Sequence, residues 1–403
     1  MFKKMPSFYF FSFIFMLVSF PLQAQKVYLN RIDSIRVKLF DTNSIDKISI
    51  TAYHEPIQLQ LDFKYPITLN SDESALIMFS NSVFTLKLFN RELSARKISV
   101  ISSKKGLIQT SAGKLEKRYY HGKLDFNPIT GLKPINTIAL EDYIASVVGS
   151  EMNFTNVEAL KVQAVISRTY ALWNLGTIKN TEYDLSDHTL NQVYNGELIE
   201  KPWFREAAEE TLSEVALFSN KLILAVFSST CGGHTCNNES VWSGQALPYL
   251  RGNPDNDACK SSPHFRWRFS IENSEWSAWL QKTFHKLGSE IHVFQRSEDN
   301  RVKTLQFDDL SKPLKANDFR LKVLQSFGTR SLKSTLFVIT NTADSVIFMG
   351  RGMGHGVGLC QWGALGLAED DWTYKDILRF YYRGIEIKPV YFDSDRTFLE
   401  LAN

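Results

Sequence analysis

The sequence has only four cysteines, shows no repeat or low-complexity tract, and carries no excess of either charge. Its 46 basic and 43 acidic side chains nearly cancel, so there is no basic stripe of the kind that holds nucleic acid, and nucleic acid is not expected as a partner. The glycine-rich block around His355 does not lead into Lys-Ser/Thr, which excludes a phosphate-cradling loop and with it a nucleotide. Beyond the first two dozen residues no stretch is apolar for long enough to span a bilayer.

What is present begins with an export signal. Lys3 and Lys4 precede an apolar run from Phe8 to Phe20, Pro21 breaks it, and Leu22-Gln23-Ala24 offers a cut after Ala24. This layout predicts a signal peptide over 1–24 and an exported chain, delivered to the periplasm or cell wall. An uncleaved membrane anchor is the rival, disfavoured because the run is short for a bilayer. No Cys lies near the cut, so a lipid on the mature N-terminus is not expected. The remaining chain of about 380 residues is too long for one typical core and predicts two or three domains. Its 8 Trp and 15 Tyr suit sugar-binding clefts or large cores equally well.

The expected class is α+β. Over 25–134, stretches such as Ile57–Phe63 and Val83–Leu88 alternate apolar and polar residues, the period of half-buried strands, and predict a β-rich accessory domain. Near Ile138 the period lengthens. Ile138, Leu140, Tyr143, Ile144, Val147 and Val148 predict a helix ending at Gly149, with Glu141 and Asp142 in its first turn. Thr155–Glu158 reads as a capping box opening a second helix that Gly176 stops. Lys221–Ser229 reads as a buried strand. A mixed helix/strand domain is therefore expected over 135–388, with an inserted α/β segment at 265–348 and a C-terminal tail over 389–403.

Four constellations could carry chemistry. Glu151 lies between two helices among Val148, Met152 and Phe154, where desolvation would raise its pKa as a general acid requires. Taken on spacing alone, a structural helix-end carboxylate is the better reading. Lys161 and Arg168, seven apart on one helix face, suit either an acceptor-rich sugar or a solvated charged face. His355, in Gly350–Gly358 with its five glycines, could orient substrate or be a buried histidine locked by backbone bonds. Cys231, His234, Cys236 and Cys259 offer a zinc-type donor set, with disulfides as the rival in an oxidising compartment and Cys360 able to pair with any of the cysteines.

In order along the chain, further motifs follow. Leu140-Glu141-Asp142-Tyr143 runs through Val148-Gly149-Ser150-Glu151-Met152, and Glu158–Val165 runs through Arg168-Thr169-Tyr170-Ala171. Then come Gln192–Gly196, Phe227–Thr235, Val241-Trp242-Ser243-Gly244, Pro248–Arg251, Lys333-Ser334-Thr335, and Gly350–Gly358 leading into Gln361-Trp362-Gly363-Ala364. This series, across about 140–388, resembles the stage II sporulation protein D / LytB family. Cys360 and Trp362 stand where that family often has Ser and Tyr, and Asn153-Phe154 stands where Pro or Ser is frequent.

The resemblance implies lytic transglycosylase activity on peptidoglycan glycan strands already stripped of stem peptides. It places the catalytic acid on Glu151 and the important basic positions on Lys161 and Arg168, with His355 added here as a positioning residue. It implies no required cofactor, although zinc accompanies some members and a structural zinc is open here. Some relatives instead enhance a cell-wall amidase, so the alternative is a non-catalytic, peptidoglycan-binding activator. A zinc hydrolase centred on His234 and the cysteines is a second rival.

Overall fold

The computed structural model describes residues 34–392 and 399–401, apart from 65, 178–181, 189–190, 200, 243, 287–289 and 309–311. The signal-peptide reading of 1–24 lies outside the described residues. No helix among the described residues is long and apolar enough to cross a membrane. The molecule is α+β: a β-rich N-terminal region is followed by a part built of helices and short strands.

The N-terminal strands form two sheets. One has seven strands, in the order Leu185–Ser186, Ser34–Lys38, Ile135–Ala139, Lys123–Phe126, Ile98–Ser102, Ile57–Leu61 and Ile67–Leu69. The other has six, in the order Arg118–Tyr120, Leu107–Ser111, Lys47–Tyr53, Ser74–Ser80, Val83–Leu88 and Arg91–Ala95. Their alternating residues turn inward: Ile57, Leu59, Ile48, Ile50 and Leu86 are buried, while their sequence neighbours face outward. Phe84 of the second sheet meets Phe126 of the first edge-on at 6.1 Å, so the two inner faces share one core.

The strand Ile135–Ala139 runs directly into α1 (Leu140–Glu151). Ile138, expected on the helix, is instead the inward residue of that strand and pairs with Ile35. Ile138 and Leu140, two apart across the strand–helix junction, fit a helical period as well as a strand's. Gly149 does not end α1. A Cβ there would lie 2.4 Å from both Leu198 and Phe204, so the glycine permits close approach inside the helix. α2 (Val157–Thr177) follows and continues past Gly176. Its cap is Asn156, whose Oδ1 accepts from the Ala159 N–H at 3.2 Å, rather than the expected Thr155 box. Glu158 is engaged elsewhere, accepting from the Tyr374 N–H at 2.7 Å.

α2 is surrounded by α1, α3 (Trp203–Glu210) and two later helices, and almost every residue from Ala159 to Thr169 is buried. Lys221–Ser229 is not one strand: Lys221–Leu222 and Phe227–Ser228 are separate short pairings, in different sheets. Within 266–351, α4 (Asn273–Phe284) and α5 (Ala316–Phe327) join two three-stranded sheets around Trp276, Trp279, Phe319 and Phe348. That cluster is separate from the main core, which runs continuously from Ile35 to Val390. The chain then returns through Leu359–Cys360, which pairs in parallel with Phe227–Ser228. It continues into α6 (Gln361–Glu369) and α7 (Tyr374–Tyr381) before Glu386–Phe392 pairs with Glu214–Phe218.

Candidate functional site

Glu151 is the last residue of α1. The segment 192–196 is fastened along that end of the helix by three hydrogen bonds. The Val193 N–H donates to Glu151 Oε1 at 2.6 Å, the Asn195 N–H to Ser150 Oγ at 3.1 Å, and Ser146 Oγ to the Gly196 carbonyl at 2.5 Å. Gly196 adopts φ +83°, and a Cβ there would lie 2.2 Å from the Tyr119 carbonyl oxygen. No other residue allows so close an approach.

From the opposite side comes Gln361, the first residue of α6. Its Nε2 donates to the Glu151 carbonyl at 3.4 Å and to Gln163 Oε1 at 3.3 Å. The neighbouring Trp362 meets Phe154 edge-on at 5.0 Å, and Met152, next in sequence to Glu151, is buried. Burial in this setting raises the Glu151 carboxyl to about 7, against the opposing hydrogen bonds from Val193 and Gln361, with no charged side chain among the causes. The side chain is only partly covered. A carboxyl that is protonated near neutrality and still reachable can deliver and then recover a proton.

The other residues singled out from sequence are placed differently. Arg168 is fully buried. Its Nε and Nη2 donate to the two carboxylate oxygens of Glu141 at 2.8 and 2.5 Å, and its guanidinium also reaches the carbonyls of Glu214 and Ala208 at 3.1 and 3.2 Å. Glu141 lies in the first turn of α1 and Glu151 closes it, about 15 Å apart along the axis. Arg168 is therefore a brace between α1, α2 and α3 rather than a ligand for substrate. Lys161 is committed to Glu158 at 3.0 Å and Glu210 at 2.6 Å and lies over the Tyr374 ring. These two carboxylates raise the Lys161 pKa against the effect of burial.

His355 is a locked, neutral imidazole. Its Nδ1 accepts from the Val357 N–H at 3.0 Å, and the Phe227 carbonyl accepts from the ring. Burial, with the charges of Arg320 and Arg301, lowers its pKa to about 3. It packs on Trp242 at 4.9 Å. Holding the loop is the role this geometry gives it, in place of proton donation.

The expected metal set is regrouped. Cys231 and Cys259 stay together, but their companions are Asp255 and Cys360, and the four donor atoms all lie within 4.8 Å of one another. His234 Nδ1 instead bonds the Thr235 carbonyl at 2.5 Å, and Cys236 Sγ donates to the His355 carbonyl at 3.4 Å. Those two residues belong to backbone pairings with Pro254 and Val357 that carry them away from the cluster. All four thiols are free and buried. Arg301, from the 266–351 part, buries its guanidinium against this loop, donating to the Cys231 carbonyl at 2.5 Å while pairing with Asp299 at 2.9 Å.

Sequence comparison sets these residues in a family. A family of stage II sporulation proteins matches residues 129–218, and a domain of unknown function (DUF8618) matches 253–358. The chain is 30% identical over 358 residues to an uncharacterized protein of Brachyspira hyodysenteriae, covering 86% of this chain and 94% of that one. It is 29% identical over 274 residues to the stage II sporulation protein D of Bacillus subtilis, covering 64% and 77% respectively. The chain belongs to the stage II sporulation protein D / LytB family. It is also 28% identical over 280 residues to the amidase enhancer of Bacillus subtilis, covering 57% of this chain and 38% of that longer protein.

The matched stretch 129–218 holds Glu151, the Gln192–Gly196 segment and both braced cations. Cys231 and Cys360 fall outside both matched stretches, whereas Asp255 and Cys259 fall inside the second. Val193, Gln163 and Gln361 are site residues that spacing did not single out. Gln192–Gly196 and Gln361–Ala364 stand as motifs in the sequence, but nothing in one dimension says that they close on Glu151 from two sides.

Proposed function

We propose that the protein is an exported lytic transglycosylase that cleaves peptide-stripped peptidoglycan glycan strands, with Glu151 as its acid and base. The observation that carries this reading is the Glu151 carboxyl at the end of α1, raised to about 7 by burial with no charged group among the causes and held by the Val193 N–H. Ordinary glycosidases need a second carboxylate to attack or to activate water. Here the attacking group is the substrate's own muramyl C6 hydroxyl. Glu151 donates its proton to the glycosidic oxygen as the bond from the anomeric carbon breaks. The resulting carboxylate then takes the C6 hydroxyl proton while that oxygen bonds to the anomeric carbon, closing the 1,6-anhydro ring and restoring the acid. No water is consumed.

In this scheme Arg168 acts by tying α1 to α2 and Lys161 by pairing α2 with the end of α3, and neither touches sugar. Incubation of the purified chain with peptide-free glycan strands tests the reading. Anhydro-muramyl ends made by the wild type and absent with Glu151→Gln are expected. A second reading rests on the resemblance to the amidase enhancer: the same surface around Glu151 binds strands and stimulates a cell-wall amidase. No anhydro product from either form, with amidase stimulation by both, would replace the first reading with the second.

A further inference from the structure

We propose that Cys231, Asp255, Cys259 and Cys360 form a structural zinc site that clamps the loop after Phe227–Ser228 to the N-terminus of α6. The four residues are at most 1% exposed, and their four donor atoms lie within 4.8 Å of one another. Zinc accepts both Cys thiolates and Asp carboxylate oxygens as ligands in a tetrahedral set. A tetrahedron with metal–sulfur bonds of about 2.3 Å has edges of about 3.8 Å. Cys231 Sγ and Cys259 Sγ are 3.6 Å apart, close to that edge and far beyond the length of about 2.05 Å that a disulfide requires.

Two orphaned polar atoms point to a ligand. Asp255 Oδ1 and the Tyr381 hydroxyl are buried without a hydrogen-bond partner. Asp255 is a member of the cluster, and the Tyr381 hydroxyl borders it: the Cβ position of Gly363 lies 2.1 Å from that hydroxyl and 3.2 Å from Cys360 Sγ. Leaving such groups unmatched costs stability unless a bound ion draws the carboxylate and a neighbouring acceptor draws the hydroxyl.

Backbone donors already face the sulfurs, as thiolates on a metal require. The Cys231 and Gly363 N–H groups donate to Cys360 Sγ at 3.1 and 3.3 Å, the second at the opening turn of α6, where the helix dipole favours negative charge. Binding releases to water whatever protons the three thiols and Asp255 carry and leaves the metal held by three thiolates and one carboxylate. α6 then presents Gln361 and Trp362 toward Glu151 from an anchored end.

Metal analysis of the full chain, expressed with added zinc and purified without chelator, tests the site. About one zinc per chain is expected, retained in Cys236→Ser and lost in Cys259→Ser and Asp255→Asn. Because a ligand variant can fail to fold, the wild type carries a second measurement: cobalt(II) in place of zinc should give thiolate charge-transfer bands and tetrahedral d–d bands. A folded wild type with below about a tenth of an equivalent of zinc and no cobalt spectrum would overturn the proposal. So would a Cys231–Cys259 disulfide found by mass mapping of the natively alkylated chain.

Discussion

Glu151 and Asp255 are two carboxyls that burial raises to about the same value, near 7, yet their surroundings assign them opposite work. Glu151 stands among amide donors and aromatic edges and stays partly open. Asp255 is 1% exposed among three sulfurs, and after burial the Cys259 charge is the next cause of its shift. A raised pKa therefore marks desolvation and nothing more specific. Access and the chemistry of the neighbours separate an acid that meets substrate from one that meets a cation.

The largest expected effect falls on the open carboxyl. Glu151→Gln keeps the Val193 hydrogen bond and the volume but has no proton to give, so cleavage of denuded strands should fall by about 10²–10⁴-fold. Thermal melts at the same pH should show no loss of stability. Equal activity in both forms would end the comparison, because Glu151 would then be as structural as Asp255. Next in size is Arg168→Met. Removing the guanidinium abandons Glu141 and two carbonyls in or near the core, and should cost about 3 kcal/mol or more in denaturant unfolding. Turnover per folded molecule should stay within a few-fold. A collapse of turnover with unchanged stability would return Arg168 to the substrate.

The sequence disclosed the parts of this picture that depend on local period and on motif order. The strand alternation of Ile57–Leu61 and the helix opened by Glu141 and Asp142 follow from side-chain periodicity. Glu151 emerged through its place in an ordered series of motifs. What spacing could not show was which helix face is wet. Lys161 and Arg168 share a face by their seven-residue interval, but α2 is enclosed on nearly every side, so one cation became a brace and the other a surface pair. The metal set failed for a related reason. His234 and Cys236 are close to Cys231 in sequence, yet their backbone pairs with Pro254 and Val357, while Cys360 arrives from 129 residues away. Donors gathered by tertiary pairing leave no interval to read.

A third test uses pH to sharpen the contrast. The Glu151 carboxyl rises from 4.5 to about 7 on folding, so the folded state binds the proton more tightly than the unfolded chain. Its contribution is fully present below the unfolded value and is lost as pH rises through about 7. Above that pH the buried charge costs up to about 3 kcal/mol. Glu151→Gln should therefore match the wild type in urea unfolding near pH 4 and exceed it by up to about 3 kcal/mol near pH 8. A constant difference across that window would show that Glu151 is well hydrated when folded.

The smallest effect concerns the wall around the same carboxyl. On the proposed mechanism kcat/KM requires protonated Glu151, so its alkaline limb should fall about tenfold per pH unit above about 7. Trp362, next to the Gln361 that bonds the Glu151 carbonyl, packs against Phe154. Trp362→Ala admits water to the carboxyl, relieves part of the desolvation, and should move the limb toward acid by about one unit. Trp242, which packs instead on His355, provides the matched control: Trp242→Ala should leave the limb in place, because the His355 ring is neutral throughout this range. A limb that follows Trp242 and ignores Trp362 would mean that the titrating group lies in the Gly350–Gly358 loop and not at the end of α1.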